Sequence, residues 1–102
     1  VAIVDIREDS ETFGKVETFM INDQNRIGLF IPEGLANSLC VTSEVSVDYI
    51  YLVDSYYDGS DTRAIAWDDP DLNISWPIED PIISDRDKSN PTLREMFPDK
   101  FK

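Results

Sequence analysis

Apolar and polar positions along this chain alternate over short stretches, and few runs carry a helical period. Val1-Ala2-Ile3-Val4-Asp5-Ile6 is a nearly continuous β-branched run, the pattern of a strand covered on both faces. Arg7 to Gly14 is polar and turn-rich, and Lys15 to Ile21 alternates in the manner of a second strand. Asn22-Asp23-Gln24-Asn25 reads as a turn, followed by a strand over Arg26–Ile31. Pro32-Glu33-Gly34 makes a tight turn, and another strand follows over Ser38 to Thr42. Val47–Val53 and Ala64–Trp67 complete the set, with an Asp-, Ser-, Tyr- and Gly-rich loop between them. Strands at this close spacing predict an antiparallel sandwich or barrel.

The chain changes character after Trp76. Pro77, Pro81, Pro91 and Pro98 exclude long strands there. Asn90-Pro91-Thr92-Leu93-Arg94-Glu95-Met96-Phe97 predicts one short helix or turn, with Asn90 as cap, Pro91 at the first helical position and Pro98 as the stop. The expected division is a β-domain over 1–76 and a Pro-rich extension over 77–102, packed on it.

Composition narrows the function classes. With 102 residues and 41% apolar content, the chain builds one modest core. Nine Lys and Arg against 21 Asp and Glu give a net charge of -12, which repels phosphate backbones and anionic lipid. No nucleic-acid or membrane partner is expected. No apolar run approaches a membrane span and no signal peptide opens the chain, so the expected location is cytoplasmic. Val1, already inside a strand-like run, points to a fragment or a cropped chain. Cys40, the lone cysteine, reads as a small buried thiol in a reducing compartment.

The chain contains no histidine. That excludes a Ser-His-Asp triad, a histidine base and a histidine-ligated metal within these residues. One cysteine makes no thiolate metal site, and the four glycines form no phosphate loop. Asp68-Asp69-Pro70-Asp71 lacks calcium-loop spacing and reads as a solvated turn, so no metal site is expected. Tyrosines and carboxylates remain. Alternation over Val47–Val53 places Tyr49 and Tyr51 on one face, where a hydroxyl could return a proton to a carbanion or the rings could simply fill a barrel. Trp67, Trp76 and the pair Tyr56-Tyr57 read as packing or loop anchors, and Asp85-Arg86-Asp87-Lys88 as an exposed turn.

Six segments, taken in order, resemble the C-terminal part of the dTDP-4-dehydrorhamnose 3,5-epimerase family. They are Val4-Asp5-Ile6-Arg7 with Thr12-Phe13-Gly14; Ile31-Pro32-Glu33-Gly34-Leu35-Ala36; Tyr51 with Tyr56-Tyr57; Ile65-Ala66-Trp67-Asp68-Asp69-Pro70-Asp71-Leu72; Ile74-Ser75-Trp76-Pro77; and Ile83-Ser84-Asp85-Arg86-Asp87. The resemblance implies an all-β, cupin-like antiparallel jelly roll, incomplete at its N-terminus and closed by a short C-terminal helix or turn. It also implies a homodimer that needs no metal or organic cofactor. Such enzymes invert carbons beside the C4 ketone of a dTDP-linked sugar: a histidine paired with an aspartate removes a proton, a lysine steadies the enolate, and a tyrosine returns a proton.

By position, Tyr51 matches the proton-donating tyrosine and Asp87 the aspartate that orients the base. Tyr57 resembles a tyrosine lining the sugar site, Arg86 joins the substrate-binding set, and Asn37 stands where the family has a second histidine. The Arg-Gly-Leu-His segment that carries the base has no counterpart, and neither has the lysine that follows it; Leu52 stands where the family often has another lysine. Asn37 hydrogen-bonds but does not titrate near neutrality. The resemblance therefore implies an epimerase of deoxysugar (rhamnose) biosynthesis whose isolated chain is inactive. The alternatives are a non-catalytic cupin that binds a sugar nucleotide or a protein partner, and a structural β-domain pairing through its edges.

Overall fold

A computed structural model describes residues 1–56, 58–60 and 63–102. Among them, three strands form one antiparallel sheet: β1 (Ala2–Asp5), β2 (Val16–Thr18) and β3 (Leu35–Ser38), in the order β2-β1-β3. Two one-turn helices follow, α1 (Asp85–Lys88) and α2 (Leu93–Met96), and then a 3-10 helix over Pro98–Phe101. This small sheet with few helices is compatible with an all-β, cupin-like fold.

The register sorts the side chains into two faces. Val4 lies between Val16 and Ala36, and Ala2 between Thr18 and Ser38; Ile3 lies between Glu17 and Asn37. Because side chains alternate along each strand, the Val4 row faces the core and the Ile3 row faces away from it. Burial agrees: Ala2 and Val4 are 1% and 5% exposed, whereas Ile3 is half-buried. The core is small. Val4, Leu72 and Leu93 form its centre, and Ile6, Phe13, Val16, Ala36, Ile65, Ile74, Phe97 and Phe101 pack around it. Phe13 holds the two ends of the chain together, edge-on to Phe97 at 5.5 Å and to Phe101 at 6.5 Å.

Two glycines permit the turns that build the sheet. Gly14 (φ 80°) and Lys15 both oppose Asp5, since Gly14 N–H donates to Asp5 O at 2.8 Å and Asp5 N–H donates to Lys15 O at 3.1 Å. This is a β-bulge with glycine in the left-handed region, which bends the chain into β2. Gly34 (φ 89°) ends the Pro-Glu-Gly turn and opens β3.

The expected strands over Val1–Ile6 and Lys15–Ile21 form, each shortened. The strand expected at Ser38 to Thr42 lies earlier, at Leu35–Ser38. Arg26–Ile31, Val47–Val53 and Ala64–Trp67 are not strands. A strand exists only where a neighbouring strand satisfies its N–H and C=O groups, and among the described residues no strand pairs with these segments. Phe30, Ile50 and Leu52 are correspondingly 93%, 85% and 95% exposed. Ala66 N–H donates instead to Pro91 O at 2.7 Å, which ties this segment to the C-terminal one.

The helical region also departs from expectation. α2 is capped by Thr92, not Asn90: Thr92 Oγ1 accepts from Glu95 N–H, and the Glu95 carboxylate accepts from Thr92 N–H, a reciprocal capping box. Pro91 therefore precedes the cap, and Pro98 starts the 3-10 helix where a stop was expected. Asp85–Lys88, read as a turn, is a helical turn capped by Ser84. Cys40 is a free thiol and only half-buried, short of the full burial expected. Among the described residues, no helix is long and apolar enough to cross a membrane.

Candidate functional site

Asn37 lies on β3, opposite Ile3, and is exposed on the sheet face turned away from the core. Its position depends on the turn before it. Arg7 crosses beneath that turn so closely that a Cβ on Gly34 would stand 2.5 Å from Arg7 Cγ and 2.8 Å from Arg7 Cδ. Ile6 N–H donates to Gly34 O at 3.1 Å and fixes the same corner.

Asp5 holds Arg7 in place. Its carboxylate accepts from Arg7 Nε (2.9 Å), Arg7 Nη2 (2.8 Å), Arg7 N–H (3.0 Å), Ser10 Oγ (2.6 Å) and Thr12 Oγ1 (2.5 Å). The Asp5 side chain is 7% exposed and that of Arg7 48%. The Arg7 guanidinium, then Ser10 and Thr12, hold the Asp5 carboxyl far below the usual carboxylate range. The same pairing raises Arg7. The loop between β1 and β2 is thus organised around one anion, and its outer end buttresses β3.

Tyr51 lies in the segment expected as a strand and is 72% exposed, with its ring 6.1 Å from that of Tyr49. The two rings lie side by side although the segment is not a strand. Asp87 and Arg86 sit on α1, where both are exposed. Asp87 N–H donates to Ser84 Oγ at 3.2 Å, and Asp87 Oδ1 accepts from Asn90 Nδ2 at 3.2 Å. Tyr57 lies outside the described residues. Among the described residues, no hydrogen bond joins Asn37, Tyr51 and Asp87 to one another, and no group of three or more Cys, Asp or Glu could hold a metal ion.

Asp69 is the residue whose environment the sequence did not disclose. Read as part of a solvated turn, it is 2% exposed. Asp69 Oδ1 accepts from Asp71 N–H (2.7 Å) and Leu72 N–H (3.3 Å), and Asp69 Oδ2 from Leu93 N–H (2.5 Å). The Asp-Pro-Asp spelling is a signal for the local part of this arrangement, because aspartate readily bonds a backbone N–H two residues on. Next to it, Arg94 forks onto Asp71 through Nε (2.6 Å) and Nη2 (3.0 Å) and holds the Asp71 carboxyl below its usual range. Asp69 is buried in the core, whereas the Asp71–Arg94 pair is exposed beside it; both tie the C-terminal segment to the rest of the fold.

The family model described as dTDP-4-dehydrorhamnose 3,5-epimerase matches residues 1–95. Relatives bearing that name include one from Shigella flexneri, 39% identical over 82% of this chain and 46% of its own length. Another, from Methanothermobacter thermautotrophicus, is 38% identical over 90% of this chain and 51% of its length. A third, from Neisseria gonorrhoeae, is 36% identical over 95% of this chain and 31% of its length. The chain thus spans about half, or less, of the relatives it matches. With nearly every residue inside the family match, this chain belongs to the dTDP-4-dehydrorhamnose 3,5-epimerase family.

Proposed function

We propose that this chain contributes Tyr51 and Asp87 to a 3,5-epimerase that acts on a dTDP-linked 4-keto-6-deoxyhexose in deoxysugar biosynthesis. The observation that carries the reading is the family match over residues 1–95. In this reading the three-stranded sheet is part of an antiparallel jelly roll. Residues 1–76 belong to that barrel and residues 77–102 pack on it, in a cytoplasmic homodimer. The C4 ketone acidifies the C–H bonds at C3 and C5. Asp87 orients the base that removes the proton, and Tyr51 donates one from the opposite face of the ring to the enolate. Asn37, Tyr57 and Arg86 contact the sugar nucleotide. The base itself comes from outside these residues, because they contain no histidine.

The test is incubation with dTDP-4-keto-6-deoxyglucose in D2O, with NMR at C3 and C5. The chain is assayed alone and mixed with a polypeptide carrying the family's Arg-Gly-Leu-His segment. Deuterium uptake is expected only in the mixture, and its loss in Tyr51→Phe and Asp87→Asn assigns both groups. Uptake that survives both substitutions rejects those roles. A second reading, a non-catalytic cupin that binds the sugar nucleotide or a protein partner, is favoured by the non-titrating Asn37. Ligand binding without uptake in either sample would select it.

A further inference from the structure

The register places three residues in one row on the sheet face that carries Asn37: Glu17 of β2, Ile3 of β1 and Asn37 of β3. Glu17 and Asn37 are two interstrand spacings apart, about 10 Å between backbones. Ile3 lies between them as an apolar, half-buried floor, while its chain neighbours Ala2 and Val4 are buried on the other face. Glu17 is exposed, and among the described residues its backbone is engaged in the β1–β2 ladder while its carboxylate has no hydrogen bond or ion pair, so the carboxylate is available to a ligand. From this arrangement we infer that Glu17 is a sugar-binding residue, accepting hydrogen bonds from ring hydroxyls of the hexose.

The inference rests on the proposed function, which makes the Asn37 face the substrate face. Chemistry selects the part of the ligand that Glu17 meets. A carboxylate accepts from hydroxyl groups and repels phosphate, so Glu17 contacts the neutral sugar and stays away from the diphosphate. Across the row, the Asn37 amide both donates and accepts. Ile3 covers the C–H surface of a ring lying between them. Nothing in the fold occupies Glu17 otherwise: its strand neighbours Val16 and Thr18 point to the other face.

The experiment measures the affinity of the chain, mixed with the polypeptide that carries the Arg-Gly-Leu-His segment, for dTDP-4-keto-6-deoxyglucose and for dTDP alone, in wild type, Glu17→Ala and Thr18→Ala. Glu17→Ala is expected to weaken the sugar nucleotide about tenfold and leave dTDP unchanged, the loss of a hydrogen bond to a charged group. Thr18→Ala, one residue on and on the opposite face, changes neither. If Glu17→Ala leaves both affinities intact, or weakens both equally, Glu17 does not read the sugar and the proposed function still stands. A wild-type mixture that binds neither ligand overturns both the proposed function and the inference built on it.

Discussion

Asp69 and Leu93, 24 residues apart, are joined by a hydrogen bond from Leu93 N–H to Asp69 Oδ2 at 2.5 Å, and are 2% and 1% exposed. Leu93 begins α2 and anchors the centre of the core, so this bond fixes where the C-terminal segment docks.

Removing that acceptor leaves the Leu72 and Leu93 N–H groups buried without partners. Each such group costs about 1–3 kcal/mol. Asp69→Ala is therefore expected to lose about 3 kcal/mol, read as a lower urea midpoint at unchanged m-value. Asp69→Asn keeps one carbonyl acceptor and loses less. Equal losses in the two variants would argue against the hydrogen bonds as the cause.

Gly34 tests the corner under β3. Alanine there takes on the left-handed strain, about 1–2 kcal/mol, and also meets Arg7. Arg7→Ala removes the second obstacle but not the first. In a double-mutant cycle, Gly34→Ala with Arg7→Ala is expected to be less destabilised than the sum of the single variants. Strict additivity would mean that Arg7 does not pack against the turn.

Asp5 gives a pH dependence of known sign. Its folded value lies far below the ordinary 3.8, so the unfolded chain takes up a proton first as pH falls. Its contribution is complete above that ordinary value and is lost progressively below it. The melting temperature of wild type should exceed that of Asp5→Asn by a constant margin from neutrality to about pH 5. The margin should narrow as the pH falls below 3.8. A margin that is unchanged at low pH contradicts the ion pair with Arg7.

Asn37 stands on an open face, so a larger ring fits there without repacking. Asn37→His is expected to change stability by less than about 0.5 kcal/mol. It also introduces the only imidazole in the chain, whose NMR titration should centre near pH 6.5, about the unperturbed histidine value. A loss of several times that stability would place Asn37 in a packed environment and move the candidate site elsewhere.

Local patterns were legible where the chain supplies their partners. The β-branched run around Val4 and the alternation around Val16 became paired strands because each is the other's neighbour. The alternation at Tyr49 and Tyr51 is just as clear, yet those residues form no strand, because periodicity marks a face and says nothing of what lies beside it. The helix at Leu93 was legible in kind but misplaced at its start. Thr92 and Glu95 satisfy each other's backbone groups in a way that Asn90 and Pro91 cannot match.

The candidate site divides along the same line. The family match and the lack of histidine follow from residue order alone. That Glu17 shares a row with Asn37 does not, because the row is created by β1 standing between two strands that are remote in sequence. Nor could the order of residues show that Asp69 is buried while Asp87 is exposed, since both occur in short acidic segments. By itself, then, the sequence determined membership of the family and the local turns, which depend on neighbouring residues. Only the tertiary structure decided which carboxylates are buried and which residues share a face, because burial and register depend on N–H groups and strands supplied from far along the chain.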